Sequence, residues 1–158
     1  MTKIKDTLTF KPKAVVQKLL AVLPERAQDI LTKRYGLDKS GQIKTLEAIG
    51  QEYGITRERV RQIENFALNN IKKAEAYQKN ETAFIELEKL INYYGGIVHE
   101  QEFLKIIAKD KLNQNHIHFL LVLSDLFTKI KEDKSFCHRW TVNPELARQI
   151  EDSLKSVS

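Results

Sequence analysis

Residues 46–65 constrain the fold more than any other part of the sequence, because two glycines lie four residues apart between two amphipathic stretches. Two helices that cross steeply need a small residue where their backbones meet, and Gly50 provides one. The turn between them needs a residue that tolerates positive φ, and Gly54 provides that. The apolar anchor positions around both glycines are filled by Ile49, Tyr53, Ile55, Val60 and Ile63. The segment therefore predicts a helix-turn-helix.

The second of these helices has an apolar face and a polar face. At about 100° per residue, the apolar stripe consists of Val60, Ile63, Ala67 and Ile71. The line directly opposite consists of Glu58, Gln62, Asn65 and Asn69, edged by Arg57 and Arg61 on one side and Arg59 on the other. Such a face is either an ordinary solvated surface or a DNA-reading one, since amides and arginines match base edges and phosphates. The complete anchor pattern before it favours DNA recognition.

Capping residues predict the ends of the neighbouring helices. A first helix is predicted from Pro12, where apolar residues recur at three- and four-residue spacing. A second is predicted over residues 25–35, closed by Gly36. Thr45 and Thr56 are the predicted N-caps of the two crossing helices.

These residues also resemble a known family. The runs Thr-Leu-Glu-Ala-Ile-Gly at residues 45–50 and Ile-Thr-Arg-Glu-Arg-Val-Arg-Gln-Ile-Glu at residues 55–64 closely resemble region 4 of primary bacterial sigma factors. Residues 23–26 and 30–37 are similar to the first helical pair of that region, so the resemblance covers residues 12–74. In that family the region binds the upstream (−35) promoter element and docks on the flap of the RNA polymerase β subunit.

The resemblance implies roles for individual residues. The residues that would read base edges are Arg57, Glu58 and Gln62, and the rotation of the helix adds Asn65. The residues that would contact the DNA backbone are Thr45, Leu46, Thr56, Arg59 and Arg61. The helices spanning residues 15–37 would form the polymerase-facing surface.

A working sigma factor also carries a region that melts the promoter. The polar residues before Pro12 are too few to hold it, and the second half lacks its aromatic-rich helices. We therefore expect a regulator built on a region 4 module and not an ordinary initiation factor.

The second half follows the element order of a winged helix. Three helices are predicted after residue 81, followed by alternating segments at 126–131 and 136–142 that flank a hairpin turn. This half more faintly resembles the HARE-HTH winged-helix module, also seen in the delta subunit of RNA polymerase. The preceding helix runs without Gly or Pro to about Tyr77, so the boundary near Asn80 is predicted to be helical.

Together these patterns predict a mainly α fold, with a four-helix region 4-like domain followed by a winged-helix-like α+β domain that has a small β-hairpin. The predicted divisions are a flexible arm at 1–11, the helix-turn-helix domain at 12–78, the winged-helix domain at 81–143, and a final helix and tail at 144–158.

Charge and composition narrow the function. The net charge is +5, but residues 1–80 hold 16 Lys and Arg against 9 Asp and Glu, so the basic surplus lies with the helix-turn-helix. A single cysteine, Cys137, excludes an intrachain disulfide and favours the cytoplasm, and no apolar run is long enough for a membrane span.

The remaining chemistry-bearing residues do not form a recognisable site. His116 and His118 are two residues apart, so on a helix they diverge and cannot share a metal. His138 lies next to Cys137 on a predicted strand and points to the opposite face. We therefore expect no metal, no cofactor and no enzymatic activity, and we expect Trp140 to anchor the winged-helix core.

The sequence predicts a duplex DNA-binding transcription regulator that recognises a −35-like promoter element and contacts RNA polymerase. The alternative is a polymerase- or sigma-binding adaptor whose helix-turn-helix does not bind DNA specifically. A homodimer is also possible, because a lone helix-turn-helix usually needs a second copy or a partner for useful affinity.

Overall fold

A computed structural model describes residues 8–130, 138–145 and 148–149 of the chain. These residues form eight α-helices and one small antiparallel sheet, so the mainly α prediction is confirmed. In the first half the helices are α1 (Pro12–Leu20), α2 (Glu25–Tyr35), α3 (Leu46–Tyr53) and α4 (Arg57–Lys73). None of the eight helices in the described residues is long and apolar enough to cross a bilayer.

The predicted continuation of α4 to about Tyr77 is wrong. The helix ends at Lys73 because Ala74 adopts an extended backbone, with φ −80° and ψ 150°. A short helix, α5 (Glu75–Lys79), follows and places the Tyr77 ring 5.0 Å from that of Phe84. Packing of Tyr77 on the core thus outweighs the helical preference of a segment that contains no Gly or Pro.

The second half has the predicted winged-helix order. Its elements are α6 (Glu81–Tyr93), β1 (Ile97–His99), α7 (Glu100–Ile107), α8 (Lys111–Leu123), β2 (Thr128–Ile130) and β3 (Arg139–Thr141). The strands β2 and β3 pair antiparallel, as the predicted hairpin requires. The predicted turn and Cys137 lie outside the described residues, as does most of the final helix.

The strand β1 is absent from the sequence prediction. It pairs with β3, which becomes the central strand of the order β1-β3-β2. With three residues directly after Gly95 and Gly96, β1 is too short to show the alternation that identifies a strand. Trp140 on β3 is 3% exposed and opposes Val98 of β1, which confirms its prediction as a core anchor.

One large hydrophobic core joins residues from both halves. Fully buried side chains of α1, the end of α4, α6 and α8 contribute to it, namely Val16, Leu19, Ile71, Leu87, Ile91, Ile117, Phe119, Leu120 and Leu121. The helix α8 lies at its centre and packs against α1, α2 and α7. Apolar side chains buried between the two halves therefore hold the helix-turn-helix against the second half. Each buried methylene group contributes about 0.8 kcal/mol of stability.

Polar contacts fix the same junction. The Asn115 side-chain amide donates hydrogen bonds to the backbone carbonyls of Gly36, at 3.0 Å, and Gly41, at 3.1 Å. The Tyr35 ring meets Phe119 edge-on, with centroids 5.1 Å apart. These contacts tie the loop between α2 and α3 to α8.

Candidate nucleic-acid interface

The crossing of α3 and α4 is as tight as the two glycines predict. A Cβ atom at Gly50 would lie 2.6 Å from the carbonyl oxygen of Ile55, closer than real Cβ contacts allow. The Ile55 amide in turn donates a hydrogen bond to the Gly50 carbonyl at 2.9 Å. Gly54 ends α3 in the left-handed region, with φ 67°. Both glycines therefore have the roles that the sequence assigns to them.

A small core of its own orients the helix-turn-helix. Ile30, Ile49 and Val60 are completely buried and form a cluster separate from the large core. The partly buried side chains packed on this cluster are Leu46, Tyr53, Ile55 and Ile63. All five predicted anchors therefore lie in one cluster, and α2 adds Ile30 to them.

Threonine hydroxyls cap both helices, as predicted. The Thr45 Oγ1 accepts a hydrogen bond from the Ala48 amide at 3.0 Å, and the Thr56 Oγ1 accepts one from the Arg59 amide at 3.1 Å. Both helix N-termini are thereby fixed, and such termini carry partial positive charge that suits phosphate. The Leu46 side chain packs on the small core, so only its backbone amide is suited to a phosphate contact.

The exposed face of α4 brings the remaining predicted residues together. The exposed side chains on its first half are Arg57, Glu58, Arg59, Arg61, Gln62 and Asn65. The buried side chains on the opposite face include Val60, Ala67 and Ile71. The helix therefore presents a continuous polar surface with four residue types that can bond to base edges or phosphates.

Some of these polar groups pair with each other. Arg61 donates two hydrogen bonds to the Glu58 carboxylate, at 3.0 Å from Nε and 2.5 Å from Nη2, which lower the pKa of Glu58. Arg59 Nη1 lies 3.4 Å from Gln62 Oε1. Exposed pairs of this kind contribute little to stability, so they rearrange at low cost when a phosphate or base is offered.

Glu64 is the residue of α4 whose position the sequence analysis missed. It is 7% exposed and accepts a hydrogen bond from the Tyr35 hydroxyl, while Arg34 Nε lies 3.6 Å away. Burial raises the pKa of Tyr35, and the neighbouring Glu64 carboxylate raises it further. Rotation places Glu64 about 40° from Val60, just beyond the edge of the apolar stripe, so the periodicity indicates partial burial but does not identify Tyr35 as its partner.

A polar network also braces α3 against α2. Lys33 Nζ lies 3.0 Å from both Asp29 and Glu52, and Lys44 Nζ lies 2.7 Å from Glu52. The hydrogen bonds that Lys44 and Lys33 donate to Glu52 lower its pKa, and the bond from Lys44 has the larger effect. Tyr53 donates a hydrogen bond to Asp29. The network therefore joins α3 and the loop before it to α2.

The two histidines of α8 have separate environments, as their spacing predicts. His116 is buried, with Nδ1 2.7 Å from the Leu112 carbonyl, whereas His118 Nε2 lies 3.4 Å from the Glu100 carboxylate. The described part of the chain holds no group of three His, Cys, Asp or Glu side chains placed to bind a metal.

The chain matches known proteins over this same segment. Residues 19–73 match the family model of sigma-70, region 4. An RNA polymerase sigma factor SigA of Nostoc sp. is 51% identical over 57 residues, which cover 36% of this chain and 14% of the relative. The principal sigma factor HrdD of Streptomyces viridifaciens is 41% identical over 68 residues, or 43% of this chain and 20% of the relative.

The match thus spans less than a quarter of the length of these relatives and lies within one part of this chain. It coincides with α2, α3 and α4 and with the end of α1, and it includes both glycines and both threonine caps. Residues 19–73 are therefore a DNA-binding helix-turn-helix domain related to region 4 of sigma-70 factors.

Proposed function

We propose that this protein is a transcription regulator that binds duplex DNA by placing α4 in the major groove of a −35-like promoter element. The observation that carries the proposal is the exposed polar face of α4, opposite a helix-turn-helix core in which every anchor is filled. A major groove admits one α-helix, and the side chains on its outward face are those that reach base edges.

The proposed base-reading residues are Arg57, Glu58, Gln62 and Asn65. Amide side chains suit adenine, an arginine fork suits guanine, and a carboxylate accepts a hydrogen bond from cytosine. In the free protein the Glu58 carboxylate is occupied by Arg61. When Arg61 turns to a phosphate, it releases Glu58 for a base contact, so a single rearrangement serves both roles.

The proposed backbone contacts surround this line. Arg59 and Arg61 lie at its edges and neutralise phosphates, which makes binding salt-dependent. Thr45, Leu46 and Thr56 lie at the two capped helix N-termini, where backbone amides face an anion. These contacts position α4 and carry no sequence preference of their own.

RNA polymerase is the proposed protein partner, because the similar proteins are named RNA polymerase sigma factors. The apolar side of α1 is buried against the chain's own second half, including Val15, Val16 and Leu19. A polymerase contact on residues 15–37 therefore falls on the exposed side of these helices, which includes Lys18 and Glu25.

A selection from random duplex DNA with the full chain, at two salt concentrations and without polymerase, tests the proposal. The expected result is a recovered motif that resembles the −35 element. Gln62→Ala is then expected to lose about 1–3 kcal/mol on that motif and to relax one base position. Arg59→Ala is expected to weaken all sequences alike and to reduce the salt slope by about one.

Two results would contradict this assignment. Recovery of random, salt-sensitive DNA would mean that α4 does not read sequence without polymerase. Equal losses on cognate and random DNA for Gln62→Ala would remove its base-reading role.

A further inference from the structure

A mostly apolar groove of about 480 Å³ lies beside the DNA-reading face, between the α1–α2 corner and one flank of α4. Its α4 wall includes Ile63 and Phe66, and its other wall includes Leu23 and Ala27. Phe66 is 70% exposed, the largest exposure among the large exposed hydrophobic residues of the described chain. A large aromatic ring at such a position contributes little to the fold, which makes it available to a partner.

Basic side chains line the rim of the groove. Arg26 and Arg59 are both exposed and both line it. The Arg26 guanidinium lies over the Tyr53 ring, 5.4 Å from its centroid, and Arg59 reaches the neutral amide of Gln62. An aromatic anchor with arginines at its edge is the composition typical of protein–protein contact surfaces.

Two other occupants fit this surface less well. DNA is a poor match because the Phe66 ring offers no hydrogen bond to a phosphate or base edge. A second copy is a poor match because a two-fold interface pairs the same surface of both copies. The basic rims of the two grooves, with Arg26 and Arg59, would then face each other and repel.

We propose that this groove binds an amphipathic helix of a separate protein, whose apolar stripe covers Phe66 and Ile63 and whose flanking Asp or Glu residues pair with Arg26 and Arg59. Helix-in-groove recognition uses apolar anchors at i, i+3, i+4 and i+7, and acidic flanks complement the basic rim. Because much of the lining belongs to α4, the bound helix lies next to the DNA-reading face. The groove thus suits a partner that acts beside the bound DNA: Gln62 and Arg59, two proposed DNA contacts, lie on its edge, whereas Phe66, Ile63 and Arg26 are outside the proposed DNA contacts.

The test uses the full chain and two fluorescein-labelled 18-residue helical peptides with the same leucine stripe. One carries Glu on both flanks and the other carries Lys. By fluorescence anisotropy, the Glu-flanked peptide is expected to bind at least ten-fold more tightly than the Lys-flanked one. Phe66→Ala is expected to weaken it at least ten-fold, and Arg26→Glu to reverse the preference between the two peptides.

The matched control is Ile106→Ala, which removes an exposed apolar side chain from α7, outside this groove, and should leave peptide binding unchanged. Circular dichroism checks that Phe66→Ala keeps its helical content, as the exposure of Phe66 predicts. Promoter DNA binding of Phe66→Ala is expected to equal that of the parent, so the peptide result is separate from the outcome of the DNA selection.

Six results would overturn the proposal. Two concern the peptides alone: no binding of either, or equal binding of both. Three concern the variants: equal losses for Phe66→Ala and Ile106→Ala, a chain dimer that Phe66→Ala dissociates, and loss of DNA binding in Phe66→Ala. Displacement of the Glu-flanked peptide by core RNA polymerase would also overturn it, since the groove would then belong to the polymerase surface.

Discussion

The helix α4 in the first half and the helix α8 in the second half have opposite surroundings. In the first half, α4 buries one stripe and exposes a polar face from Arg57 to Asn65. In the second half, α8 is the last helix before the hairpin strands β2 and β3. It is buried on most sides, and its buried side chains include Asn115 and His116. A helix that follows a short turn is therefore a surface helix in one half and a central core helix in the other. Exposure, and not topology, decides which helix is available to DNA.

The largest expected effect comes from α8. Phe119→Ala removes a fully buried ring that packs on Tyr35 and should cost about 3–5 kcal/mol of unfolding free energy. Because the ring joins both halves, the whole chain should lose stability in one transition. Urea unfolding followed by circular dichroism and by fluorescence of Trp140, the single tryptophan, measures this.

The matched control is Phe66→Ala, the same change at an exposed site on α4, which should cost well under 1 kcal/mol. Two separate transitions for the parent chain would contradict a shared core.

Local chemistry made much of the first half predictable. The bounds of α2, its Gly36 cap, and the Thr45 and Thr56 caps depend on residues that are neighbours in sequence. Gly50 was predictable for the same reason, because the backbone that it must approach closely, at residues 55–57, is only a few positions away. Short-range hydrogen bonds and backbone preferences act before tertiary packing, so their signals are legible in the sequence.

The missed features depend on contacts between distant residues. Glu64 is buried because Tyr35, 29 positions away, donates a hydrogen bond to it. The end of α4 at Ala74 follows from packing of Tyr77, and β1 exists because β3 pairs with it. No periodicity encodes such partners. The DNA contacts of α4 likewise stay a prediction, since their partner is another molecule.

The second prediction tests the polar side of the junction. Asn115→Ala leaves the Gly36 and Gly41 carbonyls without their amide donor and should cost about 2–4 kcal/mol, measured by urea unfolding. Asn65→Ala, the same change on the exposed face of α4, should leave stability within about 0.5 kcal/mol and alter DNA binding instead. Equal stability losses would mean that α4 and α8 do not differ as their burial indicates.

The smallest expected effect depends on pH and concerns Glu100, the first residue of α7, whose carboxylate lies beside His118 of α8. Burial raises the pKa of Glu100, but its hydrogen bonds with His118 and Trp140 outweigh burial and bring that pKa to about 2. A carboxyl group whose pKa is lower when folded stabilises the protein above its unfolded pKa of about 4.3, and this contribution is lost as the pH falls towards 2.

Glu100→Gln should therefore lower stability at pH 7 by on the order of 2 kcal/mol and flatten the decline in unfolding free energy between about pH 5 and pH 2. Glu102→Gln, an exposed change on the same helix, is the control and should keep the parent slope. Urea unfolding at each pH measures both variants. An unchanged slope in Glu100→Gln would show that this carboxylate does not hold α7 against α8 and β3, and that apolar burial alone keeps α8 in the core.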